Sequence, residues 1–353
     1  MKGCGLMFRV LASDFDGTLT DGERLLSLEA VRMLRALQLR GVAVSLVSGM
    51  NYPSLFKLSL HLGCRGAVIA ENGAVVSYGG EVRVLGDKDP SLRVLRTLKE
   101  RFPSLKESWD NRYRSVDVGF ERNLPKDEVS SFVERCSREV RFIDSGVAYH
   151  ILDRHVDKGV GLRVAAGLME VNPSDIAAVG DNENDLELFQ EAGYSIALAN
   201  APQKLKDEAD HVTAHPYGLG FVEAANLVMG RLKVKMVGLD YPGRLGSMDK
   251  IEALRRIGEH VESKGHIPVD LPREGGGFDS KMDYAAGMDL IVAYLGKPED
   301  LSSLQPELSY AKWMGKRIVA LTQVETLDLS LFHEIYEDPG ELLKGEAEIL
   351  HPH

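Results

Sequence analysis

Short apolar runs alternate with amphipathic stretches along the first part of the chain. "VLAS" reads as a buried strand that stops at an acidic pair, Asp14 and Asp16. The stretch "LSLEAVRMLRALQLRG" repeats its apolar residues at helical spacing and closes on Gly41. Strand "VAVSLVS", a helix over roughly 53–62 and strand "GAVIA" complete a βαβαβ order, which predicts a parallel sheet covered on both faces. The same rhythm returns with a helix at 158–169, a strand at 176–179, a helix at 184–191, strand "YSIAL" and a helix at 219–230.

Between roughly 80 and 154 the period changes. "YRSVDVGF", "VRFID" and "AYHILD" read as short strands, set among helices near 90–101 and 126–138. This predicts a small α+β insertion mounted as a cap on the first unit. After "MGRLKVK" a second doubly wound pattern begins: strand "VKMVGLD", helix 248–263, "HIPVDL", a helix near 279–287, "MDLIVAYL", helix 304–314 and "RIVALT". The tail from about 339 is polar and reads as loose. The expected division is therefore a core of 1–79 and 155–231, a cap of 80–154, and a C-terminal α/β domain of 232–353.

The length of 353 residues agrees with two or three domains, and 44% hydrophobic with 27% charged residues is an ordinary globular balance. A net charge of −11 without a basic stripe argues against a nucleic-acid partner. It leaves anionic substrates open, because these need only a local positive site. Cys4, Cys64 and Cys136 form neither a metal-spaced pair nor a disulfide framework, which suits a reducing cytoplasm. No run approaches 18 apolar residues, so no membrane span is expected. The start "MKGCGLMF" lacks the apolar stretch of a signal peptide.

In an open parallel sheet, ligands bind beyond the carboxyl ends of the strands. Four such places carry reactive or anion-binding residues here. Asp14 and Asp16 follow the first strand in "DFDGTLT". Ser48 and Gly49 follow the second in "LVSGMN". Lys158 opens a helix in "DKGVGL", and Asp181, Asn184 and Asp185 follow "IAAVG" in "GDNENDLEL". A carboxylate can attack phosphorus and divide one displacement into two. Carboxylates beside a phosphoryl group repel it, and a hard cation with oxygen ligands relieves that repulsion; Mg²⁺ suits such a site. Asp181 can supply a further carboxylate to the cation. Lys158, Ser48 and backbone N–H groups near Gly17 and Gly49 can hold the remaining oxygens. Asp16 can protonate the leaving oxygen and later activate water.

Together these segments resemble the motifs of the haloacid dehalogenase superfamily of phosphohydrolases. The resemblance implies Asp14 as nucleophile and Asp16 as general acid and base. It places a metal on Asp14, the backbone carbonyl of Asp16, Asp181 and Asp185, and the phosphoryl group on Ser48, Gly49, Lys158 and Asn184. The insertion between the Ser48 and Lys158 motifs matches the sugar-phosphatase, Cof-like branch, and "AENGA" and "PYGLGFVEA" strengthen the match. Within that branch, residues 7–231 look most like archaeal-type phosphoglycolate phosphatases, relatives of sucrose-phosphate phosphatases. "SGMN" stands where those enzymes often have "SGN".

The implied activity is Mg²⁺-dependent hydrolysis of a small phosphate monoester, phosphoglycolate or a sugar phosphate. A phosphomutase would share the aspartyl-phosphate, and a ligand-sensing or assembly role is a rival of a different class. In the insertion, Arg112, Tyr113, Arg114, Asp117 and His150 are candidates for reading the substrate. His150 reads better as a sheet residue, and Trp109 as packing.

Residues 233–344 resemble the nucleoside 2-deoxyribosyltransferase-like fold, a flavodoxin-like relative, on "MDLIVAYL" followed by "PELSYAKWMGKRIVAL". The resemblance implies Glu307 as a carboxylate facing a sugar carbon, and with it N-glycosidic cleavage. Lys281 stands where that family has an Asp, with Asp279 and Asp283 close by, and "GLDYPGRLGSM" matches the first loop only loosely. Read without the resemblance, Glu307 is a first-turn helix acid. The unit then becomes a binding or oligomerisation module, compatible with a homo-oligomer.

Overall fold

The computed structural model describes residues 8–232, 235–241, 248–264, 266–271, 278–324 and 329–346. Cys4 and the chain start lie outside these residues. The chain divides into two compact units, Met1–Val228 and Met229–His353.

The first unit opens with β1 (Val10–Asp14), α1 (Leu28–Leu39), β2 (Ala43–Val47), α2 (Tyr52–Leu62), β3 (Val68–Ala70), β4 (Val75–Tyr78) and β5 (Glu81–Val84). The insertion contributes α3 (Asp89–Arg101), β6 (Val118–Phe120), α4 (Lys126–Cys136), β7 (Val140–Asp144) and β8 (Tyr149–Asp153). The chain then returns through α5 (Lys158–Met169), β9 (Ile176–Gly180), α6 (Leu186–Glu191), β10 (Tyr194–Ala197), α7 (Gln203–Glu208), β11 (His211–Val212) and α8 (Tyr217–Gly230).

Eight strands form the larger sheet in the order β11-β10-β9-β1-β2-β3-β4-β5. It is parallel from β11 to β3 and ends in two antiparallel pairings. All five residues of β1 are buried, as a central strand with both faces covered requires. From β1 the chain first winds to β2 and β3 on one side and later returns as β9 and β10 on the other. The carboxyl end of β1 is thus a switch point, where an open α/β sheet leaves a crevice.

The insertion folds as a three-stranded antiparallel sheet, β6-β8-β7, packed against α3 and α4. Val94, Leu98, Val118, Val129, Val133 and Ile151 fill its own core. Residues 81–84, grouped with the insertion on sequence, instead form the edge strand of the larger sheet. The Gly79-Gly80 turn folds them back onto β4. "YRSV", read as strand, contains the end of a 3₁₀ turn at Trp109–Tyr113, and only Val118–Phe120 pairs in the sheet.

The second unit contains β12 (Met236–Asp240), α9 (Met248–Ser263), β13 (Ile267–Asp270), α10 (Phe278–Gly287), β14 (Leu290–Leu295), α11 (Pro298–Trp313), β15 (Arg317–Thr322), β16 (Glu334–Tyr336) and α12 (Pro339–Gly345). Its five strands are all parallel, in the order β13-β12-β14-β15-β16. Along β14, Leu290 and Val292 join one core cluster while Ile291, Ala293 and Leu295 join the other, so helices cover both faces.

Two expectations change here. Helix α11 starts at Pro298 rather than 304, because Asp300 caps it by accepting from the Gly296 and Lys297 N–H groups at 2.8 and 3.2 Å. Glu307 therefore sits well inside a helix, not in its first turn. The tail beyond 339 is not loose up to residue 346. Asp338 accepts from Gly340 N–H and Glu341 N–H, Leu342 is buried, and Glu346 takes the Arg317 guanidinium at 2.6 and 2.8 Å.

One backbone constraint ties the β3 end to α5. Gly73 has φ +102°, and a Cβ there would run into the Asp157 carbonyl, immediately before Lys158. Gly73→Ala should lower the unfolding free energy of the first unit, within the full chain, by about 2–4 kcal/mol, from strain plus overpacking. The urea midpoint measures this, and an unchanged midpoint contradicts the constraint.

Candidate active site

Three neighbouring strands, β2, β1 and β9, end side by side, and each hands its next residues to the crevice. Asp14 is the last residue of β1, Ser48 follows β2, and Asp181 follows β9. Lys158 arrives from the other direction as the first residue of α5, whose N-cap Asp157 accepts from Val160 N–H at 2.8 Å. A lysine at a helix N-terminus opposes the helix dipole, so its placement needs nearby anions. These are present. Lys158 Nζ donates to Asp14 Oδ1 at 2.5 Å and to Asp185 Oδ1 at 2.6 Å, with the lysine only 2% exposed.

Asp181 is held from two sides. Thr18 Oγ1 donates to its Oδ1 at 2.9 Å, and Asn200 Nδ2 donates to its Oδ2 at 2.9 Å. Asn200 Nδ2 also reaches the Gly17 carbonyl at 3.0 Å. Gly17 has φ +81°, and a Cβ there would collide with the Asp181 carboxylate. Only glycine lets the two loops approach this closely. The other oxygen of Asp185, Oδ2, accepts from the Asp181 and Asn182 N–H groups, both at 3.0 Å. Asp185 thus fixes both the "GDNEND" loop and the lysine.

Asp14, Asp181 and Asp185 each offer an oxygen, and these three lie within 4.8 Å of one another. The Asp16 carboxyl is not in this group. Burial, with the negative charges of Asp185 and Asp181 added, holds Asp14 well above the usual carboxylate range despite Lys158. Burial and Asp185 push Asp181 up to about 7. Asp16 is raised mainly by burial, against Arg24 and Lys158, which lower it. Burial would lower Lys158, but Asp14 and Asp185 keep it above the ordinary ammonium range. Converging buried acids with one ammonium are under-neutralised. An oxygen-only donor set of this kind fits a hard divalent cation such as Mg²⁺.

Ser48 is buried, and its Oγ accepts from Met50 N–H at 3.1 Å. The N-cap of α2 is Asn51, which accepts from Ser54 N–H at 3.0 Å. Asn184 donates through Nδ2 to Asn72 Oδ1 at 3.2 Å, while its own Oδ1 is buried without a protein donor. Asp14, Asp16, Ser48, Gly49, Lys158 and Asn184 all line one cavity of about 360 Å³, closed on its far side by the cap.

The cap is fastened to this cavity through buried charge. Arg114 donates to Asp110, to Asp117 Oδ1 at 2.6 Å and to the Gly49 carbonyl at 2.8 Å. Asp110 also accepts from Asn51 Nδ2 at 2.8 Å, and the Arg114 hydrogen bonds overcome burial to bring its carboxyl down to about 2. Asp117 meets His150 Nδ1 at 2.9 Å, and His150 Nε2 meets Ser145 Oγ at 3.2 Å. Of the candidate readers, then, Arg114 and Asp117 are committed to one another. His150 is both a sheet residue and a cavity residue. Arg112 stacks over Tyr113 at 4.9 Å and does not line the cavity. Trp109 packs edge-on against Tyr113 but is not a core residue: it is 73% exposed at the cavity rim.

Sequence reasoning missed the role of "AENGA". Glu71 and Asn72 both adopt left-handed backbone, φ +52° and +54°. The buried Glu71 carboxylate accepts from the Ser115 and Val116 N–H groups, and Asn72 Nδ2 donates to Asp117 Oδ2 at 3.3 Å. Two adjacent residues in this strained region were a readable signal only once their backbone was known. Glu307 lies in the other unit, 6% exposed and 3.2 Å from Lys281.

Residues 11–89 and 85–224 match the model of the haloacid dehalogenase-like hydrolases. A phosphoglycolate phosphatase of Methanothermobacter thermautotrophicus is 38% identical over 222 residues, 63% of this chain and 99% of its own. One from Archaeoglobus fulgidus is 39% identical over 219 residues, 61% of this chain and 95% of its own. The crystal structure of a Thermoplasma acidophilum protein superposes with a TM-score of 0.59 at 28% identity, covering 63% of this chain and 98% of that one. The family match ends at residue 224, before the second unit. With the motif residues gathered at one switch point and the match extending over most of the first unit, the chain belongs to the haloacid dehalogenase-like hydrolases.

Proposed function

We propose that the chain is a Mg²⁺-dependent phosphatase acting on a small phosphate monoester, phosphoglycolate in the first instance, with the insertion from α3 to β8 as its cap. The observation that carries this reading is the Lys158 ammonium held between Asp14 and Asp185 beside Asp181. It gives one crevice a nucleophile, a cation and an acidic ligand set. The names of the relatives from Methanothermobacter and Archaeoglobus support the choice of phosphoglycolate.

Lys158 occupies Asp14 Oδ1, so Oδ2 is the oxygen assigned to attack phosphorus. As the new O–P bond forms, the bond to the leaving oxygen breaks, and Asp16 passes its proton to that oxygen. Burial, which raises its pKa, favours the acid form that this step uses. The ionised Asp16 then takes a proton from water, the water oxygen attacks phosphorus, and the Asp14–phosphorus bond opens to release inorganic phosphate. Ser48, Lys158, Asn184 and the Gly49 N–H hold the non-reacting oxygens. Asp14 and Asp181, with Asp185 behind them, would hold Mg²⁺, which when bound supplies positive charge that keeps these acids ionised and offsets their repulsion of the phosphoryl oxygens.

The strand order of the second unit, second-first-third-fourth-fifth and all parallel, supports a flavodoxin-like module, the architecture that nucleoside 2-deoxyribosyltransferase-like domains share. No observation favours glycosidic chemistry there, since Glu307 is paired with Lys281.

Asp14→Asn should reduce phosphate release below detection, and Asp16→Asn should lower kcat by about 10²–10⁴-fold, both read in a phosphate-release assay. Asn variants retaining wild-type turnover would contradict the assigned roles. A cation requires Asp181 in its carboxylate form, and in the cation-free chain that group takes up a proton as pH falls through about 7. Apparent Mg²⁺ affinity should therefore fall by up to about tenfold per pH unit below 7. Titration of Mg²⁺ between pH 8 and 5.5 tests this, and a flat affinity contradicts it.

A further inference from the structure

The basic groups facing the cavity differ in what already holds them. Lys158 lies between Asp14 and Asp185, Arg114 between Asp110, Asp117 and the Gly49 carbonyl, and His150 between Asp117 and Ser145. Arg24 is different. Among the described residues, no side chain or carbonyl hydrogen-bonds or ion-pairs with its guanidinium, although it lines the same cavity as Asp14 and Asp16.

The loop presenting Arg24 is firmly built. Asp21 Oδ1 accepts from the Glu23 and Leu25 N–H groups, both at 2.9 Å, and Arg24 N–H donates to the Asp21 carbonyl at 3.0 Å. Thr20 and Leu26 close its base as an antiparallel bridge. Within this loop Arg24 itself has φ +66°, a left-handed backbone that a long side chain rarely adopts. A strained residue held by its surroundings at the mouth of a cavity motivates a search for function.

We propose that Arg24 selects the substrate by clamping a carboxylate carried on the leaving group. The inference rests on the phosphatase reading above. In that reading Asp16 faces the ester oxygen, and Arg24 lines the same cavity as Asp16. Arg24 therefore meets what is attached to that oxygen rather than the phosphoryl oxygens, which Lys158 and Ser48 serve. A guanidinium fork matches a carboxylate through two parallel N–H donors, and a neutral sugar would leave it without a charged partner. The substrate class is thus a short phosphorylated hydroxy acid.

The test compares kcat/KM for 2-phosphoglycolate and for ethyl phosphate, which has the same two carbons without the carboxylate, in the full-length wild type, Arg24→Ala and Arg24→Lys. The wild type should prefer 2-phosphoglycolate. That preference should fall by about 10–100-fold in Arg24→Ala, chiefly through KM, and less in Arg24→Lys, which keeps the charge but loses the fork. Arg24 is exposed and the loop's bonds at that position are backbone ones, so neither change removes core packing. An equal loss on both esters, or an unchanged preference, overturns the assignment. A wild type that hydrolyses ethyl phosphate as well as 2-phosphoglycolate also overturns it while leaving the phosphatase reading intact. A wild type that releases phosphate from no ester overturns the reading beneath it.

Discussion

The Lys158 ammonium, out of contact with water and shared by two carboxylates, is the interaction around which the first unit is arranged. At an effective dielectric of about 20, unit charges about 4 Å apart interact by roughly 4 kcal/mol, so each neighbour's position matters. Three carboxylates and one ammonium within so small a space leave excess negative charge. Burial, reinforced by this imbalance, raises Asp14 and Asp181, and the excess negative charge makes the crevice receptive to a divalent cation. Breaking one partner of a buried pair costs about 3–5 kcal/mol, which explains why the supporting contacts are so closely built. Asp157 fixes the start of α5, Gly73 fits beneath it, and Gly17 admits the Asp181 carboxylate.

The cap is joined to this centre by a second buried charge system. Arg114 reaches from the cap to the Gly49 carbonyl, and Glu71 reaches from the core to the cap's backbone at Ser115 and Val116. Asn72 links the two sides, bonding Asp117 in the cap and Asn184 in the "GDNEND" loop. Asn72 thereby connects the cap to the residue assigned to a phosphoryl oxygen. Cap residues line the cavity from one side, and the loop carrying Arg24 lines it from the core.

Much of the sheet was legible because its central strands are continuous apolar runs. "VLAS", "VAVSLV" and "IAAV" stand where β1, β2 and β9 form, and Lys158 opens a helix as expected from "DKGVGL". What the sequence concealed was mostly partnership. "EVRV" is exposed along its whole length and joins the larger sheet only because a Gly-Gly turn returns it to β4. Thr18 and Asn200 carry no local sign that they hold Asp181 from opposite sides, since loops far apart in sequence meet there. Arg114 looked free to read a substrate, yet two acids on its own segment engage it. The last helix was hidden by its polar composition, with Leu342 and Glu346 the two residues that anchor it.

The central claim is that phosphorus is transiently bonded to the carboxylate that Lys158 orients. Rapid acid quenching of the enzyme during turnover, followed by peptide mass spectrometry, reads this directly. A phosphoryl adduct on Asp14, forming with substrate and disappearing as substrate is exhausted, is the expected result. Steady turnover with no adduct at any quench time, or an adduct on a different residue, would contradict it.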